Sequence, residues 1–137
     1  MTNRQRLNAV LGEQLRCAEA MLETLARESE ALVDGNHDAL SVATEAKATL
    51  VDTLERLEAE RSALDAPAEA AEAAAWHRLR DLIAQCKTRN DRNGMLLKAR
   101  AENVRIALKA LRGTEPELYG ATGRTPARTD ARPLGTA

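Results

Sequence analysis

Apolar residues recur at spacings of three and four through most of the first 111 residues of this 137-residue chain, with two interruptions. They run Leu11, Leu15, Ala18, Leu22, Leu25 and Leu32, then Leu40, Ala43, Leu50, Leu54, Leu57 and Leu64. A third run is Trp76, Leu79, Ile83, Cys86, Leu97, Val104 and Leu111. That spacing keeps one side of a helix apolar and suits long helices packed lengthwise. The prediction is an all-α fold without strands: an antiparallel bundle of three long helices over residues 1–112, followed by a flexible tail over 113–137.

The interruptions carry the chemistry of helix ends. In Asp34-Gly35-Asn36-His37-Asp38, Gly35 suits a left-handed stop, and Asn36 or Asp38 can cap the next helix. In Asp65-Ala66-Pro67, Pro67 suits the first turn of a third helix, which continues through the alanine-rich run from Ala68. Gly113 and Pro116 then end it, and the residues beyond lack apolar periodicity. The three helices span about 31, 27 and 44 residues, or ~46, ~40 and ~66 Å. Short turns make the order up-down-up, so the third helix is expected to outrun its partners from about Arg100. It either projects alone or bends near Asn93-Gly94 into a fourth element.

The expected overhang has two apolar stripes on nearly opposite sides. One is Leu97, Ala101, Val104, Leu108 and Leu111; the other is Met95, Ala99, Ile106 and Ala110. Either a tighter bundle buries both, or they form a docking surface for another protein's helix. Lys98, Arg105 and Lys109 flank the second stripe and favour a partner with acidic flanks.

Three polar residues fall in apolar register. Lys47 stands where Ala43 and Leu50 predict a core position, and Asn90 and Asn93 lie between Cys86 and Leu97. Polar groups at such positions fix register and partner choice at some expense of stability. Replacing both asparagines by Leu is therefore expected to leave the bundle as stable or more so. The simplest arrangement hydrogen-bonds the asparagines across the bundle, with the Lys47 ammonium or neighbouring backbone, while the Lys47 stem packs.

Composition narrows the function. Aromatic residues make up 1% of the chain and Phe is absent, so the core is aliphatic; the net charge of -1 exerts no general pull toward nucleic acid or anionic membrane. Charge is nonetheless segregated. Six acidic residues stand between Glu13 and Asp34, and eight basic ones between Lys87 and Arg112. Solvated faces and helix-to-helix pairing account for this; a phosphate-tracking face would want an aromatic platform that is missing. Cys17 and Cys86 read as small buried thiols in a reducing compartment. No secretory leader core precedes the first helix, and no stretch approaches 18 apolar residues, so a cytoplasmic protein without membrane insertion is expected. His37 and His77 lack partners at metal-ligand spacing. Gly120-Ala121-Thr122-Gly123-Arg124-Thr125 lacks the Gly-Lys-Ser/Thr spacing of a phosphate loop, and no serine or cysteine has a nucleophile's surroundings. Neither catalysis nor a cofactor or metal is expected.

The run Lys47-x-x-Leu50-x-x-x-Leu54-x-x-Leu57-Glu58-x-x-Arg61 resembles the second helix of FlgN-type flagellar export chaperones. Asn90-x-x-Asn93-Gly94-x-Leu96-Leu97 resembles the third, and Leu118-Tyr119-Gly120-x-x-Gly123 the stretch after it. In order and spacing the likeness covers residues 5 to 124. It implies a helical cytoplasmic protein that binds the terminal helical region of hook–filament junction proteins, prevents premature assembly and delivers them to the flagellar type III export gate. By that resemblance cargo binding falls to Met95–Leu111 and gate docking to Tyr119. The rival expectation is a structural coiled-coil subunit or adaptor that self-associates through the same seam.

Overall fold

The computed structural model describes residues 1–64 and 73–113, which form three α-helices: α1 (Asn3–Asp34), α2 (His37–Ala63) and α3 (Ala73–Gly113). The described residues contain no strand. The expected break at Asp65-Ala66-Pro67, the start at Ala68 and the tail beyond Gly113 lie outside the described residues. The predicted alternative of a bend is settled by the helix itself, because α3 continues through Asn93 and Gly94. Gly94 lacks a Cβ but can take helical angles, and one glycine costs only about 1 kcal/mol of helix propensity.

Local chemistry explains the ends. Thr2 caps α1 through a reciprocal pair: its hydroxyl accepts from the Gln5 backbone N–H at 3.1 Å, and its own N–H donates to Gln5 Oε1 at 2.8 Å. At the other end Gly35 adopts φ 67, in the left-handed region glycine tolerates best. The Gly35 and Asn36 N–H groups both donate to the Ala31 carbonyl, satisfying one of the last carbonyls of the helix. Asn36 then starts α2, its side-chain oxygen accepting from the Ala39 N–H at 3.0 Å. Asp38 sits in the first turn, where its charge favours the helix dipole.

Packing divides the chain into two units, Met1–Leu97 and Lys98–Ala137, with the division inside α3. In the first unit, Leu7 and Val10 of α1 pack with Leu57 and Leu64 of the α2 end, which makes the two helices antiparallel. Leu11 and Ala18 pack with Leu79 and Leu82 of α3, beside the half-buried Leu15, Leu22 and Trp76. The α1–α3 register is constant. Cys86 Sγ approaches the Ala18 carbonyl at 3.5 Å and Asn93 Nδ2 donates to the Leu25 carbonyl at 2.9 Å, both across 68 residues. Such a constant offset means parallel helices, the up-down-up order that short turns require.

The seam needs correction in α3. Ile83, read as a seam residue, is half exposed, whereas Leu82 is buried against α1. The parallel register aims Leu79 and Leu82 at α1, and Ile83, one residue on, rotates by about 100° toward solvent. Cys17 and Cys86 are free and half-buried, and burial pushes the Cys86 thiol upward, with Arg89 partly opposing.

Two polar bridges cross the aliphatic core. In the first, Glu28 of α1 is buried; Lys47 Nζ of α2 lies 2.9 Å from Glu28 Oε2, and Asn93 Nδ2 of α3 donates to Glu28 Oε1 at 2.9 Å. Lys47 also donates to Asn90 Oδ1 at 3.0 Å. The asparagines thus turn to different partners. Asn93 is buried on the carboxylate and the α1 backbone, while Asn90 is exposed and tethers the lysine. In the second bridge, Gln14 Nε2 donates to Glu58 Oε1 at 3.2 Å, Arg61 Nε donates to both Glu58 oxygens, and the Arg61 guanidinium lies 5.4 Å from the Trp76 ring centroid. Arg80 lies 5.6 Å from the same ring.

The first bridge changes what the asparagines should do on substitution. Asn93→Leu leaves a buried carboxylate oxygen without its donor and is expected to cost about 2 kcal/mol, whereas Asn90→Leu at the surface should cost under about 0.5 kcal/mol. Lys47→Met, which keeps the stem and removes the charge, should cost about 2 kcal/mol, discounted because the lysine is partly exposed. Urea unfolding of the three variants checks this; equal losses at Asn90 and Asn93 would refute the asymmetry.

The second bridge yields a pH dependence. The Arg61 hydrogen bond holds the Glu58 carboxyl below its usual value of 4.5, with burial opposing. Because the folded value is the lower one, the contribution is present above pH 4.5 and lost as pH falls through the folded value. Glu58→Gln should flatten that acid limb by about 0.5 kcal/mol, a small term for an exposed pair. Urea midpoints measured against pH would show the same slope in both proteins if the pair is energetically silent.

Candidate functional site

Asn93 is the last buried residue of α3 among those described; from Ala101 to Arg112 every side chain is exposed. Met95 and Leu97, near the end of the first unit, are exposed as well. In the second unit Val104, Ile106 and Leu108 are 55%, 53% and 49% exposed, and Ala99, Ala110 and Leu111 are exposed with them. Of the two sequence alternatives, burial of both stripes in a tighter bundle is not what the described residues adopt. These side chains sit on a regular helix rich in Leu, Ala, Lys and Arg, residues that favour helix even without tertiary contacts.

The charges along this surface are only partly neutralised. Arg105 Nη2 donates to Glu102 Oε1 at 2.7 Å and Nε to Oε2 at 2.9 Å, one turn apart on the same helix. That pair lowers the Glu102 carboxyl and raises the Arg105 guanidinium. Lys98 and Lys109 form no ion pair among the described residues. The expected helix-to-helix pairing does occur for the acidic segment, but with other cations: Glu28 meets Lys47, and Glu19 meets Arg78 at 2.7 Å.

Lys47 and Asn93, singled out with Asn90 as polar residues in apolar register, meet on the Glu28 carboxylate, and Asn90 joins them through Lys47. Glu28 was the member that sequence reasoning missed. Its signal was its position: four residues before Leu32 and three after Leu25, it shares the buried face of α1. A shallow groove of ≈ 330 Å³ opens beside this network between α2 and α3, floored by Met21 and Leu25 and edged by Val51 and Ile83. Tyr119 lies outside the described residues.

Glu19, Glu23, Glu28, Glu58, Glu60 and Glu102 each face a guanidinium or ammonium group, and no group of three or more His, Cys, Asp or Glu among the described residues could hold a metal ion. No described helix is long and apolar enough to cross a membrane.

A family model described as FlgN protein matches residues 1–127, a span that includes all three helices. No curated protein and no solved structure gives a significant match. A match over that length has one reading: the chain belongs to the FlgN family of flagellar export chaperones.

Proposed function

We propose that this protein binds the helical terminal region of hook–filament junction proteins in the cytoplasm, prevents their premature assembly, and delivers them to the export gate of the flagellar type III apparatus. The observation that carries the reading is the exposed apolar surface of α3, with Val104, Ile106 and Leu108 each about half accessible. Exposed apolar surface of this kind marks an interaction site more often than it persists uncovered. Covering the exposed half of each of these side chains contributes roughly 1 kcal/mol, so several contacts must act together. A cargo helix can supply them with Leu or Val at its own i, i+3, i+4 and i+7 positions. Met95 and Leu97, exposed in the first unit, are further apolar contacts proposed for cargo.

The role of such a surface is temporary partnership. A cargo segment destined for assembly carries an apolar face that would otherwise self-associate, and binding it here keeps that face occupied until export. Lys98 and Lys109 add attraction for acidic flanks, and that part of the affinity weakens with salt. In this reading Lys47, Asn90 and Asn93 fix the bundle register and touch neither cargo nor gate. Gate docking falls to Tyr119, a large ring that presents much contact area at small entropy loss.

Ile106→Asp should lower affinity for a purified hook–filament junction protein at least tenfold, or about 1.4 kcal/mol, while the melting temperature moves by less than about 2 °C. Unfolding of the bundle by this change would place Ile106 in the core and move the cargo surface elsewhere. Tyr119→Ala should weaken binding to the cytoplasmic part of the export gate and leave cargo affinity and melting temperature in place. A fall of several degrees in melting temperature would instead mark the ring as a packing residue.

A further inference from the structure

We infer that the partner grips residues 98–112 from two sides, with two helices, and presents acidic side chains to the basic ridge between them. This rests on the export-chaperone reading of the same surface. At about 100° per residue, Ala99, Ile106 and Ala110 fall within an arc of about 40°, and Ala101, Val104 and Leu108 within about 60°. The centres of the two arcs stand about 170° apart. A packed helix covers a stripe of about 100°, so one partner helix can bury either arc but not both. The side chains in both arcs are exposed.

The sector between the arcs selects the partner's charge. Lys98, Arg105, Lys109 and Arg112 share one arc of about 60° between the stripes. Glu102, at its edge, is the only acidic residue between Lys98 and Arg112 and is already engaged by Arg105. A two-helix clamp astride this ridge brings its inner edges against four cations, and carboxylates there gain both attraction and hydrogen-bond donors. The two arcs also differ in relief. Ala99 and Ala110 flank Ile106 with small side chains, which lets one helix approach closely around a single knob, while Val104 and Leu108 form a broader ridge for the other.

The test compares one substitution on each arc in the full chain, Ile106→Asp and Leu108→Asp, against the same purified junction protein. Each alone should lower affinity at least tenfold, and raising salt from low to high should weaken wild-type binding further. Loss at only one of the two sites would overturn the two-sided grip while leaving the chaperone reading intact; loss at neither would overturn both. Sedimentation of the chain alone gives a second check. A dimer that Leu108→Asp dissociates would assign that arc to a second copy and overturn the inference. Should an aspartate disturb the helix, a polarity-sensitive fluorophore on Ala101→Cys or Ala110→Cys, with Cys17 and Cys86 changed to Ser, reads each arc separately. Cargo should shift the emission at both positions, and a shift at one alone would overturn the proposal.

Discussion

A carboxylate inside an aliphatic core is the constraint around which the bundle is arranged. Glu28 is buried, and an ionised carboxylate in such surroundings is tolerable only with cationic or N–H partners on its oxygens. One partner comes from each of the other helices: Lys47 from α2 on Oε2 and Asn93 from α3 on Oε1. Sliding either helix by a turn would carry its donor about 5.4 Å away and strand the charge. A core of Leu, Ala and Val lacks aromatic rings to key its layers and would otherwise tolerate such slips. The proposed register role of Lys47 and Asn93 rests on this pairing with Glu28 from two different helices.

The second bridge works at the opposite end of the bundle with different chemistry. Gln14, Glu58, Arg61 and Trp76 again draw on all three helices, but the carboxylate and guanidinium are substantially exposed. Exposed pairs of this sort contribute little individually, and the guanidinium groups of Arg61 and Arg80 both lie over the Trp76 ring, where cation–π attraction adds to the pair. One end is therefore fixed by a desolvated charge and the other by an aromatic plate.

Helix α3 serves two regimes with one continuous backbone. Up to Asn93 its inward residues answer to α1: Leu79, Leu82, Cys86 and Asn93 recur at intervals of three, four and seven. Beyond Leu97 its sequence remains apolar at helical spacing, yet from Ala101 to Arg112 its side chains stay exposed. Intrinsic propensity and the Glu102–Arg105 pair favour helix there, although an isolated helix of that length is marginal. Val104, Ile106 and Leu108 are the large apolar side chains at the centre of that exposed stretch, and they are the ones proposed above to receive a cargo helix.

The helices and their ends were legible because their causes are local. Gly35 stops α1 since a left-handed residue is needed there, and Asn36 starts α2 since its side chain reaches three residues along. The Thr2-x-x-Gln5 capping box was equally readable and was overlooked. Lys47, Asn90 and Asn93 stood out because amides and ammonium groups break an apolar register. Glu28 did not, because one acidic residue among six on an amphipathic helix looks the same whether solvated or buried. Likewise the sequence spacing could not choose Leu82 over Ile83, as both continue a helical pattern from Leu79. Periodicity and capping thus determined, from the sequence alone, that there would be three long helices and where the first turn falls. The partner of each buried charge, the facing sector of α3 and the exposure of its last turns were decided only by tertiary structure, since each depends on the rotation and offset of one helix against another.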